Sequence, residues 1–94
     1  MSEQRERRIV EGELLSEPHI AGRRVSVLTV HDRIHKRGLT PETVADRLDL
    51  DLADVYLALA YYYDNPRQMQ GLEDEREQLR DLASDTGNAS LHVE

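Results

Sequence analysis

The 94-residue chain contains no cysteine, no phenylalanine and no tryptophan, and only one of its 12 basic residues is lysine. Without cysteine, neither a disulfide nor a thiolate zinc site can stabilise the fold. A single domain of this length buries only about 60% or a little more of its unfolded surface, so it is marginally stable alone. We therefore expect a homodimer or a partner chain to supply further stability.

Several functional classes lack their signatures in this sequence. No apolar run approaches the roughly 20 residues of a transmembrane helix. The charged start, MSEQRERRIVEGE, lacks the apolar segment of a signal peptide. The GxSxG and Walker patterns are absent, as is any cofactor-binding motif. We expect a cytoplasmic protein that does not contact the membrane, is not an enzyme and requires no cofactor.

The chain is acidic overall, but its charge is unevenly distributed. The net charge is −7; residues 1–39 carry eight basic and six acidic side chains, whereas residues 40–94 carry four basic and thirteen acidic ones. A lysine-poor acidic chain is typical of a halophilic archaeon, where carboxylates keep surfaces hydrated, and also of a GC-rich genome, which favours arginine codons. Any nucleic acid should contact the first part of the chain.

Short strand signals and turn residues precede residue 27. Ile9-Val10 is a short apolar pair, Gly12 and Gly22 favour turns, and Val25 and Val27 flank a serine. This pattern predicts a hairpin or arm. Because phenylalanine and tryptophan are absent, the ribbon is thin and would be more stable when paired with another chain.

Helical periodicity begins at Val27. Val27, Val30 and Ile34 share one helical face, and Gly38 is expected to end this first helix. The stretch TPETVADRL predicts a second helix, in which a threonine N-cap is followed by proline and glutamate in the first turn.

A third helix is predicted over LADVYLALAYYYD, with Asp51 as its N-cap and Asn65-Pro66 as its end. The residues expected on its core face are Leu52, Val55, Tyr56, Leu59 and either Tyr62 or Tyr63. Leu57 and Tyr61 lie on the opposite side, and we interpret this exposed pair as part of an interface.

Together these elements predict a mainly α fold. We expect a tri-helical helix-turn-helix core, similar to a winged helix, with a short N-terminal β element and a C-terminal helix. Residues 1–66 would form the helix-turn-helix domain, and residues 67–94 a helix of about twelve residues with a flexible acidic tail. That helix is moderately amphipathic but of low stability on its own, so it either docks on the core or binds a partner.

A basic patch is the candidate nucleic-acid contact. Its residues are Arg23, Arg24, Arg33, Lys36 and Arg37. In a helix-turn-helix the start of the second helix of the pair reads base edges, but here that start carries Asp51 and Asp54, which repel phosphate. The patch therefore binds DNA or an acidic partner, or else it is simply a solvated basic face.

The candidate partner or dimer interface is apolar. Its residues are Leu57, Tyr61, Leu72, Leu79 and Leu82. A metal site is not predicted. His31 and His35 are spaced like zinc ligands, but the segment lacks the glutamate of HExxH and a nearby third ligand, so we interpret both as solvated histidines.

Three groups of residues match the pattern of a known family. They are Pro18, Ile20, Gly22, Arg24, Val25 and Val27; Gly38, Leu39 and Thr40; and Leu52, Asp54, Val55, Ala58, Leu59 and Tyr61. Over about residues 8–64 the chain thus resembles the domain-of-unknown-function-433 family of small antitoxin-like proteins. Arg23 stands where that family usually has threonine. We therefore expect Arg24 to hold the ribbon and Arg23 to be exposed and available to a partner.

The resemblance implies a dimeric helix-turn-helix domain whose gene lies beside that of a PIN-like ribonuclease toxin. The expected function is that of an antitoxin in a type II toxin–antitoxin pair, which binds the toxin through residues 67–94 and represses its own operon by binding operator DNA. The alternatives are a DNA-binding transcriptional regulator without a toxin partner, and a structural dimer or adaptor.

Overall fold

Four helices and a two-stranded ribbon make up the part of the chain that the structure describes. This computed structural model describes the backbone of residues 7–93 and the side chains of residues 7–84. The elements in chain order are β1 (Ile9–Val10), β2 (His19–Ile20), α1 (Val27–His35), α2 (Pro41–Leu48), α3 (Leu52–Asp64) and α4 (Pro66–Val93). The predicted mainly α fold with a short N-terminal β element is confirmed.

Hydroxyl side chains set the starts of α1 and α2. The Ser26 hydroxyl accepts the Thr29 N–H at 3.0 Å, and the Thr40 hydroxyl accepts the Thr43 N–H at 3.1 Å. Each bond satisfies a donor that the first turn of a helix leaves unpaired. Gly38 follows α1 with a φ of 72°, a left-handed conformation that favours glycine. The predicted N-cap of α2 and the predicted glycine stop of α1 are both confirmed.

The connection between α2 and α3 agrees with the prediction in position but not in its side-chain bonds. Asp49 ends α2 in the left-handed region with a φ of 57°, and Leu50 then enters the core. Asp51 occupies the N-cap position of α3, but its side chain makes no capping bond. Its carboxylate instead forms an ion pair with Arg7 at 3.2 Å. Asp51 is therefore the N-cap residue of α3 as predicted, although its side chain does not cap the helix.

The ribbon pairs the two strands in antiparallel register. Ile9 lies opposite Ile20, and Val10 lies opposite His19. Gly22 has a φ of 79° in the turn after β2. That turn leads directly to the N-cap of α1, so the ribbon fixes where the first helix begins.

His19 organises the loop between the two strands. Its side chain is completely buried. The ring Nε2 accepts the Leu14 N–H at 3.2 Å, and Nδ1–H donates to the Glu17 carbonyl at 2.8 Å. Because a buried imidazole must satisfy both nitrogens, these bonds fix the neutral Nδ1–H tautomer and the path of the loop.

Aliphatic side chains of every helix contribute to a single core. Its buried members are Ile20, Val27, Leu28, Val30, Val44, Ala45, Leu50, Val55, Ala58 and Met69. The predicted core face of α1 is confirmed at Val27 and Val30, and Ile34 packs at its edge.

The predicted core face of α3 is partly wrong. Val55 is buried, and Leu59 and Tyr62 pack against the core as expected, but Leu52 and Tyr56 are 38% and 50% exposed. The helix is rotated so that Asp54 points inwards and is 0% exposed. A buried carboxylate requires a partner, and Arg7 supplies one at 3.3 Å. Apolar periodicity alone does not predict this inward-facing carboxylate.

Helix α4 is much longer than the twelve residues that were predicted. It starts at Pro66 and spans 28 residues, or about 42 Å at 1.5 Å per residue. Its first turns pack on the core, where Met69 is 1% exposed, whereas residues 77–84 are all exposed. None of the helices described has the length and apolar character needed to cross a membrane. The division of the chain at residue 66 stays a prediction.

The two arginines of the ribbon have different roles from those predicted. Arg23, expected to be exposed and available, is half-buried and donates to the carbonyls of Leu48 at 3.0 Å and Asp49 at 2.6 Å. These carbonyls end α2, where a cation also interacts favourably with the helix dipole. Arg24 is exposed and donates once, to the Leu14 carbonyl at 3.2 Å. Arg24 contacts the ribbon loop as expected, but Arg23 makes more hydrogen bonds to the backbone and is less exposed.

We predict that Arg23→Ala lowers the free energy of unfolding by about 1 kcal/mol, because two carbonyls at a helix end lose a charged donor. Arg24→Ala, which removes one exposed bond, should cost about half as much or less. Urea unfolding followed by circular dichroism measures both. Arg47→Ala is the control, because Arg47 has no side-chain partner among the described residues. Equal losses for Arg23→Ala and Arg24→Ala would contradict this assignment.

Candidate functional site

A basic groove runs between α1 and the first half of α4. Its volume is about 430 Å³. The lining residues are Thr29, Asp32, Arg33, Lys36, Arg37, Arg76 and Arg80. Three of the five predicted basic residues, Arg33, Lys36 and Arg37, thus share one surface. Two arginines that were not predicted for this surface come from α4, so the groove has five cations and one carboxylate.

The cations of α1 cluster because they occupy the end of the helix. Arg33 lies in its last turn, and Lys36 and Arg37 follow at its C-terminal boundary. A cation there is favourable because the helix end carries partial negative charge. Lys36 also forms an ion pair with Asp32 one turn earlier, at 3.8 Å.

Arg76 joins α4 to α1 and to the ribbon loop. Its Nη2 donates to both carboxylate oxygens of Glu17, at 3.1 and 3.3 Å, and to the Ser26 hydroxyl at 3.2 Å. Its Nη1 lies 3.8 Å from a carboxylate oxygen of Asp32. One guanidinium thus contacts the loop, the N-cap of α1 and the body of α1, and forms one wall of the groove.

The remaining arginines of the groove are available to an anion. Among the described residues, the side chains of Arg33, Arg37 and Arg80 have neither an ion pair nor a hydrogen-bond partner. Each guanidinium presents several N–H donors in a plane, an arrangement that binds phosphate in two-point fashion. The groove therefore has the chemistry of a phosphate or carboxylate site, and it is large enough for a chain of such groups.

The other candidate nucleic-acid residues lie outside the groove. Arg23 is bound to the end of α2 and Arg24 to the ribbon loop, so neither lines it. The start of α3 is also engaged: Arg7 contacts Asp51 and the buried Asp54. That the start of α3 reads bases poorly stays a prediction.

The predicted interface residues separate into two groups. Tyr61 and Leu72 pack against the core, and Leu57 is half-buried. Tyr61, expected on an exposed face, donates its hydroxyl to Gln68 at 2.7 Å and to Glu11 at 3.3 Å. That expectation is wrong because α4 folds back over this side of α3.

Leu79 and Leu82 are the predicted interface residues that remain exposed. Their side chains are 65% and 62% exposed, respectively. On α3, the exposed apolar side chains are instead Leu52, Tyr56 and Tyr63. Helical spacing identified the leucines of α4 as interface candidates. It did not identify the exposed side chains of α3, because that helix is rotated relative to the prediction.

His31 is buried, contrary to its interpretation as a solvated histidine. It is 9% exposed, and its ring stacks on Tyr62, with ring centroids 3.5 Å apart and planes 6° apart. The His35 ring stacks at 4.2 Å. Burial, followed by the nearby His35, lowers the pKa of His31 and so favours its neutral form.

Tyr62 connects this histidine to α4. Its hydroxyl donates to a carboxylate oxygen of Glu73 at 2.9 Å. Burial, with the Glu73 carboxylate as the next cause, raises the pKa of Tyr62 to about 12, so the phenol remains a donor. His31, Asp32 and Glu73 together bring three ligand-type atoms within 4.8 Å of one another. Glu73 was not predicted as a ligand because it lies far from His31 in the sequence, and the spacing of the histidines indicates only ligands that follow nearby.

Comparison with known proteins identifies one family. The family model described as "Protein of unknown function (DUF433)" matches residues 9–62, which is more than half of the chain. The match includes the cations that α1 contributes to the groove but ends before Arg76 and Arg80. No curated protein and no solved structure matches the chain.

We predict that Arg76→Ala loosens α4 from α1 and lowers the free energy of unfolding by about 1 kcal/mol. The expected loss in the free energy of unfolding is small because the guanidinium is partly exposed, and solvent screens its ion pairs. Amide hydrogen exchange should accelerate in the first three turns of α4 more than in α2. Arg80→Ala is the matched control, since it removes an arginine from the same groove without breaking a described contact. Unchanged exchange in Arg76→Ala would contradict the role of this residue.

Proposed function

The chain belongs to the DUF433 family of proteins of unknown function, and we propose that it is an antitoxin that binds and neutralises a PIN-like ribonuclease. The observation that carries this proposal is the second half of α4. There the helix continues beyond the core with Leu79 and Leu82 exposed.

These leucines continue a face that is already used for packing. Leu72 packs on the core, and Leu79 follows seven residues later, on the same side of the helix. Leu82 lies one turn beyond. The face that holds α4 on its own domain thus extends past the last core contact. An amphipathic helix of this kind binds by laying its apolar face into a groove of a partner.

The charge of this segment favours a basic partner surface. Residues 73–82 contain five carboxylates, Glu73, Asp74, Glu75, Glu77 and Asp81, and two arginines. A ribonuclease must bind phosphate and therefore presents cations around its active site. An acidic helix complements that field, which accelerates association and disfavours other partners.

We predict that the double substitution Leu79→Glu and Leu82→Glu abolishes binding to the PIN-like nuclease encoded by a neighbouring gene. The loss should be at least tenfold in affinity, because two apolar anchors become charged. Co-expression, pull-down and a ribonuclease inhibition assay measure it.

The matched control is Gln78→Glu with Ser84→Glu, which adds the same two charges to the same helix and keeps both leucines. Retained inhibition in this control and lost inhibition in the leucine variant is the expected pair of results. Inhibition by both variants would place the contact elsewhere, and no complex with the wild-type chain would remove the antitoxin proposal.

A second candidate function is DNA binding, either to repress the operon of such a pair or as a regulator without a toxin. The basic groove favours it, because Arg33, Arg37 and Arg80 have no partners among the described residues. Contacts of this type bind the phosphate backbone and position a protein without reading sequence. The net charge of −7 would restrict DNA to this surface. Binding through its cations would weaken as the salt concentration rises.

We predict that Arg33→Ala with Arg37→Ala weakens binding to operator DNA at all sequences tested. The slope of log K against log salt concentration should fall by about 0.9 for each phosphate that the protein no longer neutralises. Fluorescence anisotropy at several salt concentrations measures both effects. Arg47→Ala with Arg67→Ala is the control, since both arginines are exposed outside the groove. Equal weakening in the two double variants would show that only net charge matters.

If neither the nuclease nor DNA binds, a structural dimer or adaptor is the remaining proposal. The exposed side chains of Leu52 and Tyr56, one turn apart on α3, offer an apolar surface for a second copy of the chain.

A further inference from the structure

We propose that His31 and Asp32 of α1 and Glu73 of α4 bind a divalent transition-metal ion of the zinc class. The proposal is independent of the antitoxin and DNA-binding proposals. Each of the three residues supplies one ligand atom, an imidazole nitrogen or a carboxylate oxygen, and the three atoms lie within 4.8 Å of one another. Ligands at about 2.1 Å from a tetrahedral zinc ion are about 3.4 Å apart, so small side-chain rotations complete the site.

Two buried atoms of the cluster lack a hydrogen-bond partner. Among the described residues, His31 Nδ1 and Asp32 Oδ1 are buried without any hydrogen bond. His31 as a whole is more than nine-tenths buried. An unsatisfied buried polar atom is costly, and its presence in a folded protein indicates a further ligand. A metal ion that binds at this cluster would take ligand atoms from the same two side chains.

Tyr62 holds two of the ligands in place. Its ring stacks flat on His31, and its hydroxyl donates to one carboxylate oxygen of Glu73. The other oxygen of Glu73 has no partner among the described residues, so it is available to a metal. Hydrogen bonds from outside the ligand set orient metal ligands in this way.

Two cations lie near the proposed site but leave its carboxylate accessible. Lys36 and Arg76 are each 3.8 Å from an oxygen of Asp32. That distance is too long for a hydrogen bond, which agrees with the unsatisfied state of Asp32 Oδ1. Lys36 is exposed, and the hydrogen bonds of Arg76 go to Glu17 and Ser26 rather than to Asp32.

The donor set selects the class of metal. One imidazole with two carboxylates suits zinc, iron or nickel, whereas magnesium and calcium prefer all-oxygen sites. Three protein ligands leave at least one position for water. Because the ligands come from two helices, the bound ion would tie α4 to α1.

Isothermal titration with zinc chloride in a non-chelating buffer tests this site on the full chain. We expect one zinc ion per chain and a rise in the melting temperature on binding. His31→Phe keeps the stacked ring without a nitrogen ligand, and Glu73→Gln keeps an acceptor for Tyr62 without the charge. Each should weaken zinc binding at least about tenfold and abolish the stabilisation.

Two control variants separate this site from simpler explanations. Glu77→Gln, on an exposed turn of the same helix, should leave zinc affinity within about threefold of wild type. His35→Gln should do the same. Strong loss in His35→Gln with none in Glu73→Gln would assign zinc to the His31–His35 pair and overturn the proposal. Absence of saturable zinc binding, with a water molecule filling the site, would also overturn it.

Discussion

The docking of α4 against α1 is the interaction on which the functional surfaces of this protein depend. Arg76 is central to it, since one guanidinium contacts Glu17, the Ser26 hydroxyl and Asp32. Glu17 belongs to the ribbon loop, Ser26 is the N-cap of α1, and Asp32 lies within α1. Arg76 lines one wall of the basic groove, and its contacts help to hold α4 where Glu73 lies beside the buried histidine of α1. The groove and the histidine cluster are therefore consequences of a single docking geometry.

Three consecutive tyrosines reinforce this docking because adjacent helical residues point in different directions. Tyr61 reaches Gln68 and Glu11, so it links α3 to α4 and to the ribbon loop. Tyr62 reaches α4 through its bond to a glutamate there. The Tyr63 hydroxyl hydrogen-bonds to the ring of the last histidine of α1 at 2.7 Å. Together they connect α3 to every element that borders the groove, although apolar periodicity assigns only one of them to the core.

Local signals in the sequence predicted most of the fold. The Thr40 cap and the Gly38 stop depend only on near neighbours, and both were confirmed. The patterns failed where distant residues decide the outcome, because Arg23 binds carbonyls 25 and 26 residues away and periodicity contains no information about such a partner. The candidate site divides in the same way. The cations of α1 were predicted together because they share the end of one helix, whereas Arg76 and Glu73 were missed because their importance depends on where α4 packs.

The start of α3 indicates that any nucleic acid would bind this protein on a different face. In the usual helix-turn-helix arrangement this segment enters the major groove. Here Asp54 is buried, and its partner Arg7 belongs to the segment before β1. Removing the carboxylate to create a reading surface would leave Arg7 without its buried partner and open a gap in the core. Positive charge accumulates instead at the end of α1, where the helix dipole stabilises cations and α4 contributes two more.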